Sequence, residues 1–176
     1  MADCVGLSSP QDGYFRVLGF GNAIILPLIY FLEGFVASGG INAESGWRGF
    51  VLPRLQARHS VIVASLIVWF FWALWHLPYD IGMGTPVEQI IINRLFFNLL
   101  ESILFTWVYN RTKGSILSVA SFHAAMNTSS TFLPVTLFAV LLLVILGIFA
   151  FVIDHMWRKL PVGNFAVYHI GEQAGD

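Results

Sequence analysis

The chain has 176 residues, of which 57% are hydrophobic and 11% charged, with nine Lys and Arg against ten Asp and Glu and a formal net charge of −1. An average soluble domain is about 45–50% apolar and about 25% charged, so a soluble globular domain is excluded and a multi-pass membrane protein, with the lipid bilayer as its first partner, remains. Scattered basic residues leave no footprint for nucleic acid, and the one cysteine, Cys4, cannot close an internal disulfide.

No small-residue cleavage site follows Asp3, Asp12 and Arg16, so no cleavable signal peptide is expected. Hydrophobic runs approaching the roughly 20 residues that cross a bilayer lie at about 17–37, 61–77, 90–109 and 135–153. Between the third and fourth, residues 115–127 are rich in Ser and Ala and read as a buried helix that packs closely through small side chains. Loops are expected at "SGG" (38–40), "LPYDIGMGTP" (77–86), "NRTKGS" (110–115) and 131–134, and a short polar tail at 160–176. With no internal repeat, one all-α domain over 1–176 is the simplest description: a polytopic transmembrane helix bundle with about five to six membrane-embedded helices. Its C-terminal helix falls at about 135–156.

After the first run comes "INAESGWRGFVLPRLQARH", helical in composition from Ala43 to Leu55. Glu44 and Arg48 stand at i and i+4, which places them on one face as an ion pair. Arg54, Arg58 and His59 mark a basic end; alternation brings Arg111, Lys113, Arg158 and Lys159 to the same side, which the positive-inside rule makes cytoplasmic. At about 1.5 Å per residue, Ala43 and Glu44 then lie roughly 20 Å from that surface, His76 roughly 25 Å and His123 roughly 15 Å. Ionisable groups inside a membrane are costly and face a bundle interior or a wet cavity. Three segments delivering polar groups to a similar depth suggest a site.

Each residue also has a structural reading. His76, in "FFWALWHLP", suits a helix C-terminus at the interface beside Pro78. His123 and Asn127, one turn apart in "SFHAAMN", suit interhelical hydrogen bonding. Glu101 shares a helical stripe with Arg94 and Asn98, and is expected to pair with Arg94; Glu33 falls near the end of the first span.

The quoted segments "AESGWRG", "WALWH" and "HAAMN", in that order, resemble the CPBP family of intramembrane endopeptidases, also called the CAAX prenyl protease and bacteriocin-processing (Abi) family. Its pattern is E-E-x-x-x-R, F-x-x-x-H and H-x-x-x-N/D, and the likeness runs over about 40–128. The resemblance implies hydrolysis of peptide bonds in membrane-associated or prenylated peptides by an activated water, in a multi-pass protein of a prokaryotic plasma membrane. It implies catalytic roles for Glu44, His76, His123 and Asn127, with His123 and Asn127 orienting the attack and stabilising the oxyanion. Arg48, with Glu44, secures the motif helix. Two histidines and a carboxylate could hold zinc, but the spacing does not require a metal.

Three departures accompany the likeness. Position 43, where the family carries its water-activating glutamate, is Ala43, whose methyl neither accepts a proton nor binds a metal. The aromatic of the second motif is Trp72 in place of phenylalanine, and one or two fewer helices precede the motif helix. Ala43 therefore admits a natural loss of activity, a deliberate inactivating substitution, or a register in which Glu44 takes over, the last opposed by the 100° between adjacent helical side chains. A non-catalytic scaffold that binds membrane peptides, and a small transporter or channel subunit lined by the same polar residues, are the competing readings.

Overall fold

A chain with more apolar residues than a core can hold must turn them outward, and it does so in this computed structural model, which describes residues 20–37, 39–133 and 136–161. Trp75, Ile81, Leu137 and Phe138 are each at least 70% exposed, whereas Glu44, Arg48, Ser65, Ser102 and Thr106 have no exposed surface. An apolar shell around a partly polar centre costs nothing when the surroundings are lipid, where association rests on close packing and hydrogen bonds between helices.

Helix α1 (Phe20–Val36) contains Pro27, which removes one backbone bond; neighbouring groups in a membrane helix can re-satisfy it. The chain then turns sharply at Gly39, with φ of 131°, a value that side-chain-bearing residues avoid. A Cβ on Gly40 would stand 2.6 Å from the Phe35 carbonyl oxygen and 2.7 Å from its Cα, so only glycine lets α2 (Gly40–Glu44) start this close to the end of α1. Asn42 Nδ2 donates to the Val36 carbonyl at 3.3 Å across the turn.

From α2 the helix widens into a π-helical stretch, Ser45–Val51, before resuming as α3 (Leu52–Gln56). Pro53 has no N–H for the carbonyl four residues back, in keeping with the altered winding there. Helix α4 (Val61–Gly82) is longer than the expected 61–77. Pro78 is accommodated within it, and its loss of one hydrogen bond does not end the helix, so the expected loop at 77–86 shrinks to a turn after Gly82. His76 consequently lies inside a helix, not at its C-terminus, and Asp80 becomes a buried helical residue.

Helix α5 (Val87–Ile91) passes through a second π-helical stretch, Ile92–Phe97, into α6 (Asn98–Arg111). Such a stretch loosens the carbonyl ladder, and Trp69 Nε1 donates to the Arg94 carbonyl at 2.8 Å. After a turn through Lys113 and Gly114, both at positive φ, α7 (Ile116–Phe132) starts at Ser115, whose hydroxyl accepts from the Ser118 amide at 3.2 Å. This is an N-cap of the preferred type. Helix α8 (Leu137–Ile153) is capped likewise by Thr136, at 3.2 Å from the Ala139 amide.

Three helical segments, Ile25–Gln56, Val61–Gly82 and Val87–Arg111, are long and apolar enough to cross a membrane, and Leu137–Ile153 is a shorter apolar helix. With α7, the described residues form an all-helical membrane bundle, without strands among them. The start of the first expected span at 17–19 and the expected tail beyond 161 lie outside the described residues.

The basic ends do gather. The amides of Val61 and Ile62 donate to the carbonyls of Arg158 and Met156 at 3.1 and 2.8 Å, so the segment after α8 satisfies N–H groups that the start of α4 leaves without helical partners. Nearby, Arg111 forms a forked ion pair with Asp154.

Candidate active site

The centre of the bundle is a hydrogen-bonded knot around Arg48. Its Nη1 lies 3.3 Å from Glu44 Oε1 and 3.2 Å from Oε2, and both side chains are fully buried. The pairing arises on one helix, as i,i+4 spacing predicts, but its surroundings come from two others. Arg48 Nη2 reaches Ser102 Oγ on α6 at 3.4 Å, Ser102 Oγ donates to the Ser65 carbonyl on α4 at 3.0 Å, and Thr106 Oγ1 donates to Ser65 Oγ at 3.2 Å. The guanidinium carbon stands 5.1 Å from the Trp72 ring centroid and 5.0 Å from that of Phe105. Desolvated contacts of this kind contribute about 2 kcal/mol or more. A charge that would be costly in hydrocarbon is thus matched by a carboxylate, a hydroxyl and two aromatic faces.

Glu44 also leaves its own helix. Its Oε1 lies 2.8 Å from His123 Nδ1 on α7, in a contact where the histidine side chain is 8% exposed. A carboxylate accepting here places the hydrogen on Nδ1 and leaves Nε2 of a neutral imidazole as an acceptor. Gly39 lines the other edge of the ring: a Cβ there would fall 3.4 Å from His123 Cε1 and 3.6 Å from Nε2. Trp72 lies edge-on against both imidazoles, with centroids 5.5 Å from His76 and 5.7 Å from His123. Phe105 packs on His123 at 5.1 Å.

Of the residues singled out from sequence, Glu44, Arg48 and His123 therefore form one bonded group, and half-buried His76 joins it through the Trp72 indole. Asn127 does not bond to this group. It is exposed and lines a cavity of about 420 Å³ between α6, α7 and α8, together with Arg94, Asn98, Glu101 and Leu143. Ala43 is half-buried on α2, its amide bonded to the Gly39 carbonyl at 3.0 Å.

The expected Arg94–Glu101 pair does not form. The Arg94 fork goes instead to Asp80, with Nε to Oδ2 and Nη2 to Oδ1 both at 2.7 Å, while Nη1 reaches Asn98 Oδ1 at 3.3 Å. The parallel two-bond geometry of guanidinium and carboxylate favours Asp80, which the longer α4 makes available. Among the described residues no three His, Cys, Asp or Glu side chains gather as a metal site requires. Glu44 is already bonded to both Arg48 and His123, and Ala43 adds no donor, so the residues present do not fit a zinc ion.

Sequence reasoning missed Ser65, Ser102, Thr106 and Asp80. Ser102 and Thr106 carried a signal, two hydroxyls at i and i+4 in an apolar run. Asp80 was hidden by Pro78, which read as a helix end.

Comparison with known proteins bears on the family of the chain. The family model described as type II CAAX prenyl endopeptidase Rce1-like matches residues 24–129, which include every member of the knot and Asn127. "CAAX prenyl protease 2" of Methanococcus maripaludis is 32% identical over 101 residues, covering 53% of this chain and 37% of the relative. The chain thus spans well under half the length of the curated relative it matches. No solved structure matches. A match over more than half the chain establishes that this chain belongs to the type II CAAX prenyl endopeptidase Rce1-like family.

Proposed function

We propose that this chain is an intramembrane endopeptidase that hydrolyses a peptide bond in membrane-associated or prenylated peptides, in a multi-pass protein of a prokaryotic plasma membrane. The observation that carries the reading is the 2.8 Å contact between Glu44 and His123 inside the bundle. It fixes an imidazole by its Nδ1 edge and leaves Nε2 for chemistry, the arrangement by which a carboxylate orients a working histidine. His76 and His123, both packed on Trp72, polarise the scissile carbonyl and its developing oxyanion. Asn127 holds the peptide from the cavity wall.

Glu44 is a positioning residue in this scheme. Both its oxygens lie within 3.3 Å of Arg48, one also meets His123, and the residue has no exposed surface, so its charge is directed to these two partners and away from solvent. The carboxylate that the family carries one residue earlier is absent at Ala43. A scaffold that binds peptides without cutting them is the second reading, and Ala43 is the observation that favours it.

Detergent-purified protein would be incubated with quenched-fluorescence peptides, farnesylated and plain, beside the Ala43→Glu and His123→Ala variants. Cleavage by the chain or by Ala43→Glu, lost in the corresponding His123→Ala protein, is the expected result. If neither cuts any peptide while a labelled peptide still binds, the scaffold reading replaces this one.

A further inference from the structure

We propose that Glu101 is the general base of this chain, holding the water that a glutamate at position 43 would otherwise activate. The inference rests on the hydrolase reading above and adds the residue that reading lacks.

The neighbouring carboxylates are already committed. Glu44 is bonded to Arg48 and His123, and Asp80 is held by two bonds from Arg94. Glu101 makes no hydrogen bond or ion pair among the described residues, although its neighbour Ser102 is tied into the Arg48 knot. It is partly buried and lines the cavity of about 420 Å³, a volume sufficient for a peptide segment with water. Arg48, Arg94, His123 and Glu44 are the charged or titratable groups whose fields reach it. Asn127, carried one turn beyond His123 on α7, lines the same cavity. A base must reach a water next to the scissile bond, and Glu101 is the uncommitted carboxylate that shares a cavity with a motif residue.

The step balances without a further reagent. Glu101 accepts one proton from water as the water oxygen bonds to the carbonyl carbon, and the carbonyl π pair moves to oxygen. Return of the pair expels the amine, the C–N bond breaks, and the proton on Glu101 passes to the leaving nitrogen. Peptide and water become a carboxylic acid and an amine, and the carboxylate is regenerated.

The test compares the chain as given with Glu101→Gln, Ala43→Glu, and Ala43→Glu combined with Glu101→Gln, in one peptide-cleavage assay. The expected pattern is cleavage by the chain as given, a loss of about 10²- to 10⁴-fold in Glu101→Gln, and cleavage recovered in the double variant. Recovery shows that Gln at 101 leaves the fold intact. Cleavage by Glu101→Gln at the rate of the parent overturns the assignment. So does a silent parent beside an active Ala43→Glu, which leaves the hydrolase reading standing. An active Ala43→Glu with an inactive double variant also overturns it, because Glu101 is then needed even where a base is present. Silence in all four removes the hydrolase reading and this assignment with it.

Discussion

The Arg48–Glu44 and Arg111–Asp154 pairs join the same chemical groups and differ in almost everything that determines their worth. The first is fully buried at the bundle centre, while the second leaves Arg111 53% exposed and Asp154 24% at the basic surface. Water at the surface already solvates both charges, and salt screens what attraction is left. At the centre there is no water to fall back on, so Arg48 needs Glu44, Ser102 and two ring faces together. An ion pair in this protein is structural in proportion to what else surrounds it. The Arg94–Asp80 pair, 17% and 5% exposed, lies between the two extremes.

These differences predict a graded series in unfolding experiments in mixed micelles. Arg48→Ala is expected to have the largest effect, about 3–5 kcal/mol, because it strands a buried carboxylate; a loss below about 1 kcal/mol would mean that Glu44 finds another partner or that water reaches it. Arg94→Ala should cost about 1.5–3 kcal/mol, the scale of hydrogen bonds to a charged group, since Asp80 loses both of its bonds from the guanidinium. It should also alter peptide binding, because Arg94 lines the cavity. Arg111→Ala is expected to leave the unfolding midpoint unchanged at moderate salt, and a clear shift there would show that the surface pair is part of a larger network.

Cleavage data sharpen the same contrast. If Glu44 is a positioning residue, Glu44→Gln lowers stability and cleavage together, because it disturbs Arg48 and His123 at once. Glu101→Gln, which touches no ion pair among the described residues, is expected to lower cleavage with little change in stability.

Much of the candidate site was legible in the chain because its determinants are local. Glu44 and Arg48 pair through helical spacing, His123 and Asn127 fall one turn apart by the same periodicity, and the apolar runs announce the spans. The motif order carried the family. The extension of α4 through Pro78 was not legible, since a proline ends a helix only where the lost bond is not tolerated, and that depends on neighbours distant in sequence. The partner of Arg94 was hidden for the same reason: Glu101 is near along the helix, but Asp80 offers two bonds in the right plane.

Composition and spacing by themselves determined that this is a membrane helix bundle and which residue types could form a site, because the bilayer permits few backbone solutions and a helix has one period. Only the tertiary structure decided how the side chains were divided. It joined Glu44 to His123 across 79 residues, directed Arg94 to Asp80, and left Glu101 facing a cavity with Asn127. Such choices depend on competing partners brought within about 3 Å of one another, a distance at which helix packing, and no pattern along the chain, selects the pair.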